Sequence, residues 1–272
     1  MHTTDPALSG VQATAVIRAA HNGSATTIRR LRNSGPFHLH QTGSHGEWAQ
    51  VSVLSSMCAP LGGDRLALDV TAEEHAKLEV STAAATIALP GATGALATYD
   101  VRLTVADHAM LTWLPKPLIS ARGSTLHQTC TVVLAPTAAV ILREELLLGR
   151  VPEPPGRLTT RLTVTRGGRP LIDQQTDYGG TAPAWDGPAV LGGHRATGQL
   201  LVIDPRLTPD RPPILIGDGD DPAQGHAVLT PLARHPAYLA TATAHTLHHV
   251  GELLDTALEH IRNMPPGSPI NG

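Results

Sequence analysis

The sequence predicts a mainly β protein that ends in a helical segment. Short runs of alternating apolar residues recur between Gly, Pro and Asp turns, and from Leu61 to Arg150 the turn-and-strand pattern repeats throughout. Only after Pro236 does the apolar spacing lengthen to that of a helix. Short strands spaced in this way argue for a sandwich, a barrel or a coil of sheets, and against a parallel α/β fold.

The elements follow in order. Residues 1–10 are polar and carry Pro and Gly, so a loose end is expected. Strands are predicted at Val11–Ile17 and Ile28–Leu31, then a turn at Asn33-Ser34-Gly35-Pro36, then extended chain at Phe37–His40 and Trp48–Leu54. Beyond the Pro60–Gly63 turn come Leu66–Val70, Ala76–Val80, Val101–Val105, Leu111–Leu114, Leu126–Leu134 and Val140–Leu148. Arg166-Gly167-Gly168-Arg169 between Leu158–Thr165 and Leu171–Thr176 is a hairpin sequence. Leu200–Ile203, Ile214–Ile216 and Ala227–Leu232 complete the β body, with a surface loop expected across Pro205–Gly225. Pro236 suits a helix first turn, and no proline follows until Pro265, so a helical part is predicted over about 236–263 against a β body of about 11–232. Leu247, Val250, Leu254, Ala257, Leu258 and Ile261 would share its apolar face, with His245, His248, His249, Glu252, Asp255 and Glu259 opposite.

Composition narrows the function. With 272 residues, 41% hydrophobic and 16% charged, the chain is long enough for a sizeable core. Aromatics are only 3% and the formal charge is -3, so neither the stacking platforms nor the basic patch of a nucleic-acid binder is present. Cys58 and Cys130 stand far apart without metal spacing, and two buried thiols are expected in place of a bridge. There is no basic leader with an apolar run behind it and no stretch of membrane-span length, so a soluble, cytoplasmic protein is expected, with no membrane partner.

Parity singles out two acids. Leu66, Leu68 and Val70 share one strand face, as do Leu142, Leu146 and Leu148, and Asp64 and Glu144 fall on those faces. An inward carboxylate is costly unless it is hydrogen-bonded or near a cation, so a polar seam through the β body is one reading. The other is structural: Asp64 tied to turn amides, and Glu144 paired with an Arg inside the fold, while Arg143 and Glu145 face the opposite way. Asp64 and Asp69 differ in parity, which speaks against the paired carboxylates of a glycosidase, although a β-solenoid hydrolase acting on a polysaccharide or small ester is an alternative. No phosphate loop of the GxxxxGK type and no GxSxG elbow occurs. His245, His249 and Glu252, at i, i+4 and i+7, would offer a metal two imidazoles and a carboxylate from one helix face, which gives a metal-buffering protein as a further alternative. His38, His40 and His45 are close in sequence but sit in a Gly- and Ser-containing stretch that suggests a loop.

Several motifs together resemble the urease accessory protein family UreD, also called UreH. These are Gly62-Gly63-Asp64-Arg65-Leu66, Trp113-Leu114-Pro115-Lys116-Pro117-Leu118-Ile119, Arg143-Glu144, and Leu148-Gly149-Arg150, joined by Gly168-Arg169-Pro170-Leu171 and Gly187-Pro188-Ala189-Val190-Leu191-Gly192. Ala84-Ala85-Thr86-Ile87 departs from the family's usual Ser/Thr-Ala-Thr-Lys, so a role for that lysine is not carried over. The resemblance implies a single domain over residues 1–272, a superhelical, layered β-sheet scaffold with a C-terminal helical segment. It implies a non-enzymatic role: binding the urease apoprotein, UreF and the GTPase UreG so that nickel reaches the urease active site. No tightly bound cofactor is then expected, only nickel in transit, with Asp64 and Glu144 as conduit or structural acids. A cation crossing a protein interior needs oxygen or nitrogen ligands that hold it weakly and in succession.

Overall fold

The computed structural model of the protein describes residues 10–92, 94–180, 182–208, 211–217 and 224–264. The predicted loose end, the far side of Pro265 and parts of the 205–225 span lie outside the described residues. In chain order the strands are β1 (Gln12–His21), β2 (Thr26–Arg32), β3 (Phe37–His45), β4 (Trp48–Ser55), β5 (Arg65–Ala72) and β6 (Lys77–Thr82). Then come β7 (Thr86–Ala88), β8 (Ala97–Val105), β9 (Met110–Leu114), β10 (Leu118–Ser120), β11 (Thr125–Leu134) and β12 (Ala139–Leu148). Last are β13 (Arg157–Arg166), β14 (Arg169–Tyr178), β15 (Ala196–Ile203), β16 (Ile214–Ile216), β17 (His226–Pro231), β18 (Ala237–Ala244) and the helix α1 (Leu247–Arg262).

The strands form two layers. One sheet has seven strands in the order β14-β13-β11-β8-β5-β1-β2. The other has eleven, in the order β16-β17-β18-β15-β12-β9-β6-β4-β3, with β10 and β7 attached beside β12. Between β5 and β12 the chain winds back and forth between the sheets, laying β5, β8 and β11 on the smaller and β6, β9 and β12 on the larger, with short β7 and β10 also on the larger; neighbours β5, β8 and β11 or β6, β9 and β12 run parallel. This is the stacked, superhelical arrangement that the repeated pattern foreshadowed. Its corners recur in detail: Ala76, Ala109 and Ala138 each donate a backbone N–H three residues back, to Glu73, Ala106 and Ala135. His75 and His108 occupy equivalent left-handed corner positions, φ 61° and 57°, with their rings stacked 5.1 Å apart.

The alternation buries one side of each strand. Leu66, Leu68, Val70, Leu103, Leu111, Leu142 and Leu148 join a single apolar cluster between the layers. A second cluster lies on the outer face of the larger sheet, where Leu200, Val202, Tyr238, Ala240, Ala242 and Ala244 pack under Val250, Leu254, Ala257 and Ile261 of α1.

The helix is shorter than predicted. Residues 237–244 form a strand, and the expected start at Pro236 is corrected to Leu247, with Thr246 as N-cap accepting from the His249 backbone N–H. The reason is the Ala/Thr alternation: Ala240, Ala242 and Ala244 present small side chains to α1, while β-branched Thr241 and Thr243 favour extended chain and face the other way. Gly198 of β15 completes the seat, because a Cβ there would stand 2.8 Å from Val250 Cγ1. Among the described residues no helix is long and apolar enough to cross a membrane.

Candidate functional site

The stacked arrangement stops at β12. This strand pairs parallel with β9 on one side and antiparallel with β15 on the other, while in the smaller sheet β13 runs parallel to β11 and antiparallel to β14. Between these two boundaries the layers enclose a cavity of about 520 Å³. Its walls set polar residues among apolar ones: Gln128, Gln174 and Thr176 on one side, Glu144, Gln199 and Thr243 on the other.

Among the described residues Glu144 is the single acid in that wall, and parity put it there. It lies on the interlayer side of β12, while Arg143 and Glu145 bond to each other on the helix side. Gln199, its register partner on β15, donates from Nε2 to Glu144 Oε2 at 2.7 Å and in turn accepts from Gln174 Nε2 across the layers. Burial pushes the Glu144 carboxyl above the usual range, and the Gln199 hydrogen bond only partly opposes this. The same charge, added to burial, raises the Cys130 thiol. Tyr178 is also raised, by burial first, with the Thr176 and Thr197 hydroxyls pulling the other way. Gln128 Oε1 is buried without a hydrogen-bond partner. Such an orphan acceptor in a cavity wall is a seat for a donor or a hydrated cation. The mouth, by contrast, is greasy: Leu215 is 71% exposed, and Val190 and Val228 are exposed beside it.

Asp64 has a different task. It is 3% exposed, as parity required, yet both carboxylate oxygens are used by backbone, Oδ1 by Val11 N–H and Oδ2 by Leu61 N–H, each at 2.8 Å. It clamps the turn before β5 to the start of β1 and does not line the Glu144 cavity, so the structure does not bring the two acids into one seam. The preceding glycines serve the same turn. Gly63 has φ +97°, and a Cβ on Gly62 would stand 2.7 Å from the Gly91 backbone nitrogen. Asp69 points outward to Arg102 at 3.2 Å, so no pair of facing carboxylates forms with Asp64.

The remaining motif residues are also structural. Trp113 is buried in the interlayer cluster, and Pro115 sits just past the end of β9, where the next N–H, of Lys116, bonds Thr82 Oγ1 at 2.8 Å. Arg143 reaches from β12 to α1, donating to Asp255 at 2.5 Å and to the Gly251 carbonyl at 3.2 Å. Gly149 takes φ +82° where Arg195 and the Glu153 carbonyl close in. Arg150 holds Glu153 at 2.8 Å and lowers that carboxyl to about 2. Ile87 pairs with Ile119 on β10 and lines a separate apolar groove.

The predicted helix-face metal set is not assembled. His245 precedes the N-cap and cannot stand one turn below His249; its ring meets His194 instead, Nδ1 to Nδ1 at 2.6 Å. Glu252 lies 3.4 Å from His248, its true i,i+4 neighbour. Among the described residues no three His, Cys, Asp or Glu gather to hold an ion. Sequence reasoning missed the amides Gln128, Gln174 and Gln199 and the histidines His194 and His226. The available signal was polar residues at inward parity, such as Gln199 beside Thr197 on β15.

The family model described as UreD urease accessory protein matches residues 11–266. Urease accessory protein UreD 2 of Saccharopolyspora erythraea is 59% identical over 249 residues, covering 92% of this chain and 87% of that protein. Urease accessory protein UreD 3 of Streptomyces griseus is 48% identical over 259 residues, covering 92% and 97%. Urease accessory protein UreD of Streptomyces avermitilis is 45% identical over 258 residues, covering 93% and 98%.

Proposed function

Since the chain belongs to the UreD family of urease accessory proteins, we propose that it is a non-enzymatic, cytoplasmic maturation scaffold that binds apo-urease with UreF and UreG and helps deliver nickel to the urease active site. The observation that carries this reading is the cavity: a buried acid and a row of amides inside an otherwise apolar sandwich, open through an apolar rim. Glu144 with Gln199 offers oxygen ligands too few to trap a cation, which suits passage more than storage. The rim of Leu215, Val190 and Val228 suits a partner that seats over the mouth and excludes water from it. Asp64 is left with its structural role.

The test is Glu144→Gln, which keeps shape and the Gln199 hydrogen bond but removes the charge. In cells limited for nickel, co-expressed urease is expected to lose most of its activation while the variant still co-purifies with UreF; normal activation by Glu144→Gln would overturn the conduit. The fold control has a definite sign. A carboxyl raised on folding contributes most below its unfolded value near 4.5 and loses that contribution as pH rises through its folded value. Glu144→Gln should therefore melt above the wild type at pH 8, with the difference vanishing at acid pH.

A further inference from the structure

We propose that His194 and His245, with His226 beside them, form a docking site for a borderline divalent cation of the first transition row at the edge of the cavity, ahead of Glu144. The choice of cargo rests on the reading of the cavity as a metal path; the ligand geometry stands by itself.

The two imidazoles come from opposite sides of one ladder. Ala196 and Ala244 are the last pair of β15 and β18, and the chain places His194 two residues before one and His245 next to the other. His194 follows the left-handed turn Gly192-Gly193 and is anchored by its N–H to the Leu191 carbonyl at 2.9 Å. His245 is fixed between the strand end and the Thr246 cap. Their Nδ1 atoms converge to 2.6 Å, a hydrogen bond in which one ring donates and the other accepts. Burial of His194, then His245 and His226 nearby, lowers its pKa and so favours the neutral ring, the form that binds metal. Two nitrogens each about 2 Å from a metal lie about 3 Å apart in cis positions, so a cation takes the place of the bridging proton once each ring has turned by roughly 40° to aim its lone pair off the N–N line.

The site leads inward. Leu191 and Thr243, the near neighbours of the pair along the chain, line the cavity, and His226, in register with Thr243, lines it too. A cation held by two imidazoles and water, with a third imidazole one step further in, is bound weakly enough to pass on. Of the other described histidines near this end, His248 and His249 lie on α1, with His248 beside Glu252.

Isothermal titration of the full chain with nickel chloride reads the site directly. Wild type should take up one equivalent. His245→Ala and His194→Ala should each weaken uptake at least tenfold, and His248→Ala/His249→Ala should leave it unchanged. Matching titrations for wild type and His245→Ala would overturn the proposal, and because His245 is exposed that variant decides even if His194→Ala unfolds. Loss of the titration in His245→Ala together with normal urease activation by Glu144→Gln would sink the conduit and leave this site standing. The opposite pair of results would do the reverse.

Discussion

At Asp64 a buried carboxylate is stable without any cation because two backbone N–H groups take both of its oxygens. Asp64→Ala would strand both donors, each costing roughly 1–3 kcal/mol, so a loss of about 2–6 kcal/mol is expected in chemical denaturation. Asp64→Asn keeps one acceptor and should lose about half as much; equal losses would refute the clamp. The burial of Asp64 and Glu144 was legible from parity along their strands. The turn amide that Asp64 accepts from, Leu61 three residues back, was legible as well; Val11 and Gln199 were not, because they stand 53 and 55 residues away from their acids.

Among elements, the strands of the stacked region were legible because each buries one alternating face, as in β5 and β8. Strands β7 and β10 span three residues each and are too short to show a period. Strand β18 was read as helix because its inward residues are alanines, which carry little periodic signal and are good helix formers. Beside its apolar seat, α1 is tied to the sheet by Arg143, whose guanidinium is held by Glu145 on β12 and bonds Asp255 and the Gly251 carbonyl of the helix. Arg143→Met keeps the stem and removes those bonds. The expected cost is about 1–3 kcal/mol, carried mostly by the buried partners, because Asp255 is largely exposed. Hydrogen exchange should quicken in residues 247–262 while β5, β8 and β11 stay protected; uniform quickening would show that the helix is not a separately released unit.

For the molecule as a whole, the apolar rim is the surface that a lone chain leaves uncovered. Leu215→Glu, in an exposed position, should leave the melting temperature within about 1 °C of wild type, raise the solubility of the isolated chain and reduce UreF capture at least tenfold. Unchanged capture would place the partner elsewhere. The rim was illegible in sequence because Val190, Leu215 and Val228 come from three separate segments, and a surface valine or leucine by itself carries no message. Of the cavity behind it, parity offered only a polar seam at Glu144; its amide walls were illegible, since they meet only when β13 and β14 fold over β15 and β18.

The change of strand direction at β12 has a consequence for inheritance. One wall of the chamber belongs to a ladder of parallel rungs, where a shift in any rung disturbs its neighbours, and the other to an antiparallel flap joined through β15 and braced by α1. Selection can therefore remodel the flap, its greasy lip and its paired imidazoles without re-registering the ladder that carries Glu144. Divergence among relatives should concentrate on that one side.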